Sequence, residues 1–207
     1  MLSVRDLACR RGDRLLFESL SFVVRAGAIV WLRGANGQGK TTLLRTLAGL
    51  SAAEAGTVAG AAGGPSGDEA AGPIYLAHAN ALKDDLTVAE SLAFLLALAG
   101  RPASRDRIDA ALDRFGLRHR GGAFVRTLSQ GQRRRVALAR LAALPEPRLW
   151  LLDEPYDALD AEGVTSLDTL LVEHARRGGA VVLTSHLALS IAEPAPVVVH
   201  LREPVPA

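Results

Sequence analysis

Gly34-Ala35-Asn36-Gly37-Gln38-Gly39-Lys40-Thr41 fits the pattern G-x-x-x-x-G-K-[ST]. Its residue types suit phosphate chemistry. Glycines let successive backbone N–H groups converge on phosphate oxygens, and a helix starting there adds the positive end of its dipole. Lys40 would set a point charge on the β- and γ-phosphates of a bound nucleotide, and the Thr41 hydroxyl would ligate Mg²⁺. At this composition a chance match has a probability of roughly two in a thousand over the chain. A simple glycine turn is therefore the weaker reading.

Two acids, Asp153 and Glu154, close the apolar run Leu149-Trp150-Leu151-Leu152. A buried strand ending in carboxylates presents them at the ligand edge of a parallel sheet. There Asp153 would hold Mg²⁺, usually through water, and Glu154 would polarise an attacking water as a general base. Leu128-Ser129-Gln130-Gly131-Gln132 precedes an extended helical pattern, and Ser185-His186 follows a second apolar run, Ala180-Val181-Val182-Leu183-Thr184. Alone, each of these would read as a helix start or a sheet-edge histidine.

The elements that must position these residues follow from hydrophobic period and punctuation. Leu2–Leu7 and Ser21–Val24 read as strands around the turn Arg11-Gly12-Asp13, and Ala28–Leu32 as a buried strand entering the glycine loop. Thr41–Leu50 reads as a helix. Ser51–Pro73, rich in Gly and Ala, reads as a loop or weak hairpin, and Ile74–Ala77 as a brief strand. Thr87-Val88-Ala89-Glu90 has the form of a capping box before the helix Ser91–Ala99, and Ile108, Ala111, Leu112 and Phe115 mark another helix ending at Gly116. Residues from about 80 to 127 thus form a helical insertion. After the pentapeptide a helix is expected to Leu144, stopped by Pro145 and Pro147. Ala161–Arg177 reads as a helix, and Ala180–Thr184 and Val197–Leu201 as strands. Apolar strands alternating with helices predict an α/β fold with a mostly parallel core sheet.

Composition removes other classes. The 207 residues carry a formal charge of only +2, which argues against a nucleic-acid partner. Lysines occur only at 40 and 83. The single cysteine, Cys9, rules out an internal disulfide framework and fits a reducing compartment. Met1–Asp6 leads into no apolar h-region, so no signal peptide is expected. The longest apolar run, Leu92–Gly100, falls well short of the roughly 20 residues that span a bilayer.

With the glycine loop, the pentapeptide, the acid pair and Ser185-His186 in this order, the sequence resembles an ABC-type ATPase over essentially its whole length. The pentapeptide is similar to the family signature, with Gln130 where Gly is usual. Tyr156-Asp157-Ala158-Leu159-Asp160 looks like the family's D-loop. The resemblance implies a P-loop NTPase fold, with one nucleotide-binding domain over 1–207 and an N-terminal antiparallel β part. It implies ATP and Mg²⁺, with nucleotide held by Gly34, Ala35, Asn36, Gly37, Gln38, Gly39, Lys40, Thr41, Thr42, Ser129, Gly131 and Gln132. The metal falls to Thr41 and Asp153, and catalysis to Glu154 and His186. It also implies a sandwich of two nucleotide-binding domains, most simply a homodimer. Ser129 and Gly131 of one chain would then face the phosphate held by Lys40 of the other, with Asp160 coupling the sites.

Departures from the family are specific. Its glutamine loop should follow Ile74–Ala77, where the chain reads His78-Ala79-Asn80. Either His78 or Asn80 replaces that Gln, or the contact is absent. The aromatic residue that stacks on adenine is replaced by Cys9-Arg10-Arg11, leaving Arg10 or Arg11 to stack or to sit in a solvated turn. Arg133-Arg134-Arg135 reads mostly as a solvated and interface face. Tyr75–Lys83, Gln132–Leu141 and the opening Leu7–Phe17 are similar to the branch of the family that serves c-type cytochrome maturation. That implies haem handling, separate transmembrane permease subunits, and a peripheral place on the cytoplasmic face of a bacterial inner membrane. The helical insertion would receive the permease, with His78–Asp85 as a hinge. The same residues also fit two alternatives: an ABC ATPase subunit for another substrate, and a soluble ABC-type nucleotide switch.

Overall fold

A computed structural model describes residues 2–60, 72–144 and 148–201. The glycine-rich stretch over 61–71 and the proposed stop at Pro145 and Pro147 lie outside them. The chain divides into two compact units: Met1–Leu76 with Pro147–Glu154 and Leu171–Ala207, and Ala77–Glu146 with Pro155–Leu170.

The first unit holds both sheets. β1 (Leu2–Arg11), β2 (Arg14–Val24) and β4 (Ala55–Ala59) form an antiparallel sheet in the order β2-β1-β4. The hairpin strands run longer than the sequence suggests. Of the loop or weak hairpin expected over Ser51–Pro73, strand β4 forms at Ala55–Ala59, because Ser3, Val4 and Arg5 offer it a ladder through Ala59, Val58 and Thr57. β3 (Ile29–Arg33), β5 (Ile74–Leu76), β6 (Leu149–Leu152), β7 (Ala180–Thr184) and β8 (Val197–His200) make a parallel sheet in the order β5-β6-β7-β3-β8. β3 thus runs between β7 and β8, and β6 between β5 and β7, so the glycine loop and the acid pair leave interior strands at their carboxyl ends. Near-continuous apolar spelling of β6 and β7 fits strands covered on both faces. Helix α1 (Lys40–Leu47) buries Leu43, Leu44 and Leu47 in the core with Leu32, Leu151 and Val182. Each such side chain contributes about 1.5–3 kcal/mol.

The second unit is helical. α2 (Val88–Leu98), α3 (Arg105–Asp113) and α4 (Gln130–Ala142) pack on one another through Leu92, Leu96, Ile108, Leu112, Val136 and similar buried residues. The predicted capping box at α2 is present: Thr87 Oγ1 accepts from Glu90 N at 3.2 Å, and Thr87 N donates to Glu90 Oε2 at 2.8 Å. Helix α4 ends at Ala142, earlier than expected. Helix α5 spans Ala161–Arg176.

Candidate nucleotide site

The glycine loop leaves β3 and ends at the first residue of α1. Gly39 is the N-cap of that helix at φ 93°, in the left-handed region. A Cβ there would also stand 3.0 Å from Leu16 and 3.2 Å from Phe17, so dihedral and space both require glycine. Gln38 closes the loop on itself, its Oε1 accepting from Ala35 N at 2.6 Å. Lys40 Nζ donates to Gly34 O at 2.8 Å and Ala35 O at 3.3 Å. Ala35, Asn36 and Gly37 are exposed along the loop, and Thr42 follows on α1.

Thr41 and Asp153, 112 positions apart, meet in this unit: Thr41 Oγ1 donates to Asp153 Oδ2 at 2.8 Å. Asp153 is only 3% exposed and is fixed from behind, since its N–H donates to Leu76 O at 2.8 Å. Its Oδ1 accepts from Thr184 Oγ1 at 3.0 Å, and the same hydroxyl accepts from Glu154 N at 2.8 Å. Glu154 has φ 47°, a left-handed conformation that costs a non-glycine residue roughly 1–2 kcal/mol. Strain of this kind persists where surrounding bonds over-determine it and clusters at functional sites. Glu154 Oε2 accepts from His186 N at 3.1 Å, and His186 Nε2 lies 3.5 Å from Oε1. The turn carrying His186 is pinned by Ser185 Oγ, which donates to Leu187 O at 2.8 Å and accepts from Leu187 N at 3.0 Å. Trp31 Nε1 adds a bond to Ser185 O at 3.2 Å. The Thr41 hydroxyl beside the Asp153 carboxylate is an oxygen pair suited to Mg²⁺, which takes one or two protein ligands and completes its shell with water and phosphate. Nothing in the sequence singles out Thr184 as a site residue. Its only signal is a hydroxyl at the end of an apolar strand.

In the second unit the pentapeptide residues start α4. Ser129 is its N-cap, with Oγ accepting from Gln132 N at 3.2 Å while Gln132 Oε1 accepts from Ser129 N at 3.0 Å. Ser129 stays exposed at this capped helix start, and the N-terminal end of a helix favours an anion. A Cβ on Gly131 would come 2.7 Å from Ala158 O, so glycine lets the helix approach the Tyr156–Asp160 segment. Asp160 Oδ1 accepts from Gly163 N at 2.9 Å and from Arg135 Nη2. These bonds, the Arg135 guanidinium first, hold its carboxyl below the usual range.

The three arginines after the pentapeptide do not form a solvated face. Arg134 is 2% exposed and donates to Ala77 O at 3.1 Å, His78 O at 3.4 Å, Asn80 Oδ1 at 3.0 Å and Pro155 O at 3.3 Å. Arg133 pairs with Asp84 at 2.6 Å, and Arg135 pairs with Asp160 and, at 3.7 Å, with Glu162. A run of charge gives no hint of which member faces inward; four acceptors converging on one position decide it. Of the two candidates for the missing Gln, Asn80 is held by Arg134, whereas His78 is largely exposed and faces Asp157 Oδ2 at 3.4 Å. Near the first hairpin turn Cys9 is buried, and Arg10 is engaged with Glu54 at 3.6 Å and Asp13 O at 2.9 Å. Arg11 is exposed at the strand end.

Together, a glycine loop opening helix α1 and the hydroxyl of Thr41 on that helix, bonded to the Asp153 carboxylate at the end of β6, define a P-loop nucleotide-binding protein. The family described as ABC transporter matches residues 17–157, and the chain belongs to it. The chain is similar to the cytochrome c biogenesis ATP-binding export protein CcmA of Aromatoleum aromaticum, with 47% identity over 206 residues, 98% of this chain and 96% of that protein. It is also 47% identical to the protein of that name from Pseudomonas putida strain KT2440 over 192 residues, covering 91% of this chain and 90% of the relative. A dimeric ATP-binding cassette in a post-hydrolysis state, bound to ADP and phosphate, matches the fold with TM-score 0.81 at 22% identity, over 98% of this chain and 94% of that one. As a member of this family, the chain is an ATP-hydrolysing subunit.

Proposed function

We propose that the chain hydrolyses ATP for a membrane complex of c-type cytochrome biogenesis that handles haem. The observation that carries the ATPase part is the chain of contacts from Thr41 through Asp153 and Thr184 to Glu154 and His186. The biogenesis part rests on near-full-length similarity to CcmA proteins.

In the reaction, Gly34–Thr42 binds the phosphates through backbone N–H groups and Lys40. Lys40 moves from its loop carbonyls to the β- and γ-oxygens, exchanging neutral acceptors for charged ones. Thr41 and Asp153 would hold Mg²⁺, which would supply positive charge to offset that of the phosphates. Glu154 takes a proton from water as the water oxygen attacks the γ-phosphorus. The bond from that phosphorus to the β,γ-bridging oxygen breaks, releasing ADP and phosphate. His186 stabilises the γ-phosphoryl oxygens and steers the Glu154 carboxylate. Ser129, Gly131 and Gln132 act from a second copy of the chain, in a head-to-tail pair of sites. No helix among the described residues is long and apolar enough to cross a membrane. In this reading the permease subunits are separate chains seated on the helical unit, and this chain lies peripherally on the cytoplasmic face of the membrane.

The test compares ATP turnover by wild type and Glu154→Gln, with size exclusion in ATP. The expected result is turnover in wild type only and an ATP-trapped dimer in the mutant. Full turnover by the mutant would overturn the role of Glu154. In the source cell, chromosomal Lys40→Ala should abolish covalent haem in c-type cytochromes while their apoproteins persist. Normal holocytochrome levels in that strain would remove the biogenesis reading and leave the ATPase one.

A further inference from the structure

Thr184 lies at the carboxyl end of β7 and has no exposed surface. Its hydroxyl has one proton to give and lone pairs to accept with. The proton goes to Asp153 Oδ1 at 3.0 Å, and a lone pair takes the N–H of Glu154 at 2.8 Å. A buried hydroxyl needs a partner, but any backbone carbonyl would serve. Here both partners are the consecutive acids at the tip of the neighbouring strand. Strands β6 and β7 pair in parallel with Leu152 opposite Leu183, so the next step of the register sets Thr184 beside Asp153.

From this we propose that Thr184 is the positioning residue of the hydrolytic site: one hydroxyl orients the metal-binding carboxylate and anchors the backbone of the general base. The inference rests on the ATPase reading above. Asp153 has two oxygens. Thr184 holds Oδ1, so the oxygen shared with Thr41 is Oδ2. The carboxylate is therefore held by hydroxyls on two sides and cannot rotate without losing one. Glu154 leaves the strand at φ 47°, and the Thr184 bond fixes its N–H in that turn. Groups that orient a metal ligand from behind typically tune metal affinity by about 10- to 100-fold.

The experiment uses the full chain and a fluorescent ATP analogue, titrated in EDTA and across Mg²⁺ concentrations, alongside ATP turnover and thermal melting. Thr184→Val keeps the β-branched shape and removes the hydroxyl; Thr184→Ser keeps the hydroxyl. In T184V, the Mg²⁺ needed for half-maximal gain in nucleotide affinity should rise about 10-fold. Affinity in EDTA should stay at the wild-type level, and kcat should fall more than KM rises. T184S should restore the Mg²⁺ dependence. A T184V protein with wild-type Mg²⁺ dependence overturns the proposal, as does a T184S protein that melts normally yet responds to Mg²⁺ like T184V. Should T184V fail to fold, Thr184→Ala removes the same hydroxyl and is read in the same way. Wild type without Mg²⁺-dependent binding or turnover would overturn the ATPase reading itself, whereas failure confined to the variants overturns only the role of Thr184.

Discussion

His186 touches Glu154 twice: its backbone N–H donates to Oε2 at 3.1 Å, and its imidazole Nε2 stands 3.5 Å from Oε1. The main-chain bond holds the carboxylate whatever the side chain, while the exposed imidazole is free to meet phosphate. His186→Ala keeps the first contact and loses the second. ATP turnover should drop about 100-fold with nucleotide affinity little changed. Steady-state kinetics beside a binding titration checks this, and equal losses in both would mean that His186 acts in binding.

Arg134 ties Ala77, His78, Asn80 and Pro155 together from inside the helical unit. Arg134→Leu leaves several buried acceptors unpaired, at about 1–3 kcal/mol for each one left without water. Denaturant unfolding should show a stability loss of about 3 kcal/mol, several times that of an exposed arginine such as Arg105 replaced in the same way. Equal midpoints for the two variants would place Arg134 back among solvated charges.

Gly131→Ala brings a methyl to 2.7 Å from the Ala158 carbonyl oxygen. Either the start of α4 or the Tyr156–Asp160 segment must shift, a strain of about 1–3 kcal/mol. We expect a lower unfolding midpoint in the isolated chain, without nucleotide or partner. An unchanged midpoint would leave glycine at this position to nucleotide contact alone.

His174 is buried, stacked on Trp150 with ring centroids 3.5 Å apart, and its Nε2 bonds Arg148 O at 2.7 Å. Burial is the main force lowering its pKa from 6.5 to about 4; the Arg148 carbonyl opposes it, and Arg177 adds to it. The unfolded chain therefore binds this proton at a higher pH than the folded one. The contribution is fully present above pH 6.5 and is lost as pH falls toward about 4, amounting to about 3 kcal/mol. His174→Leu should flatten unfolding free energy against pH in this window, whatever its effect at neutral pH. An unchanged slope would assign the acid sensitivity to other groups.

The glycine loop, the acid pair and Ser185-His186 are legible because their chemistry is spelled in adjacent residues and bounded by apolar strands whose period is local. The same holds for the capping box at Thr87. Family membership follows from the order of such words along the chain. Other features depend on partners far away in sequence. Strand β4 exists because β1 offers it an edge, and Ala-Gly-Thr-Val-Ala has little strand character of its own. Arg134 looks like its two neighbours until acceptors 21 to 57 positions away surround it.

By itself, then, the sequence determined that this is a P-loop ATPase of the ABC family, and it singled out the residues proposed for its phosphate chemistry, since such functions demand particular atoms at short fixed spacings. The tertiary structure alone decided that Thr184, 31 positions after Asp153, stands behind both acids, and that Arg134 is a core residue. Parallel strand register and the need to satisfy buried polar groups set those neighbours, and both arise only once distant segments have come together.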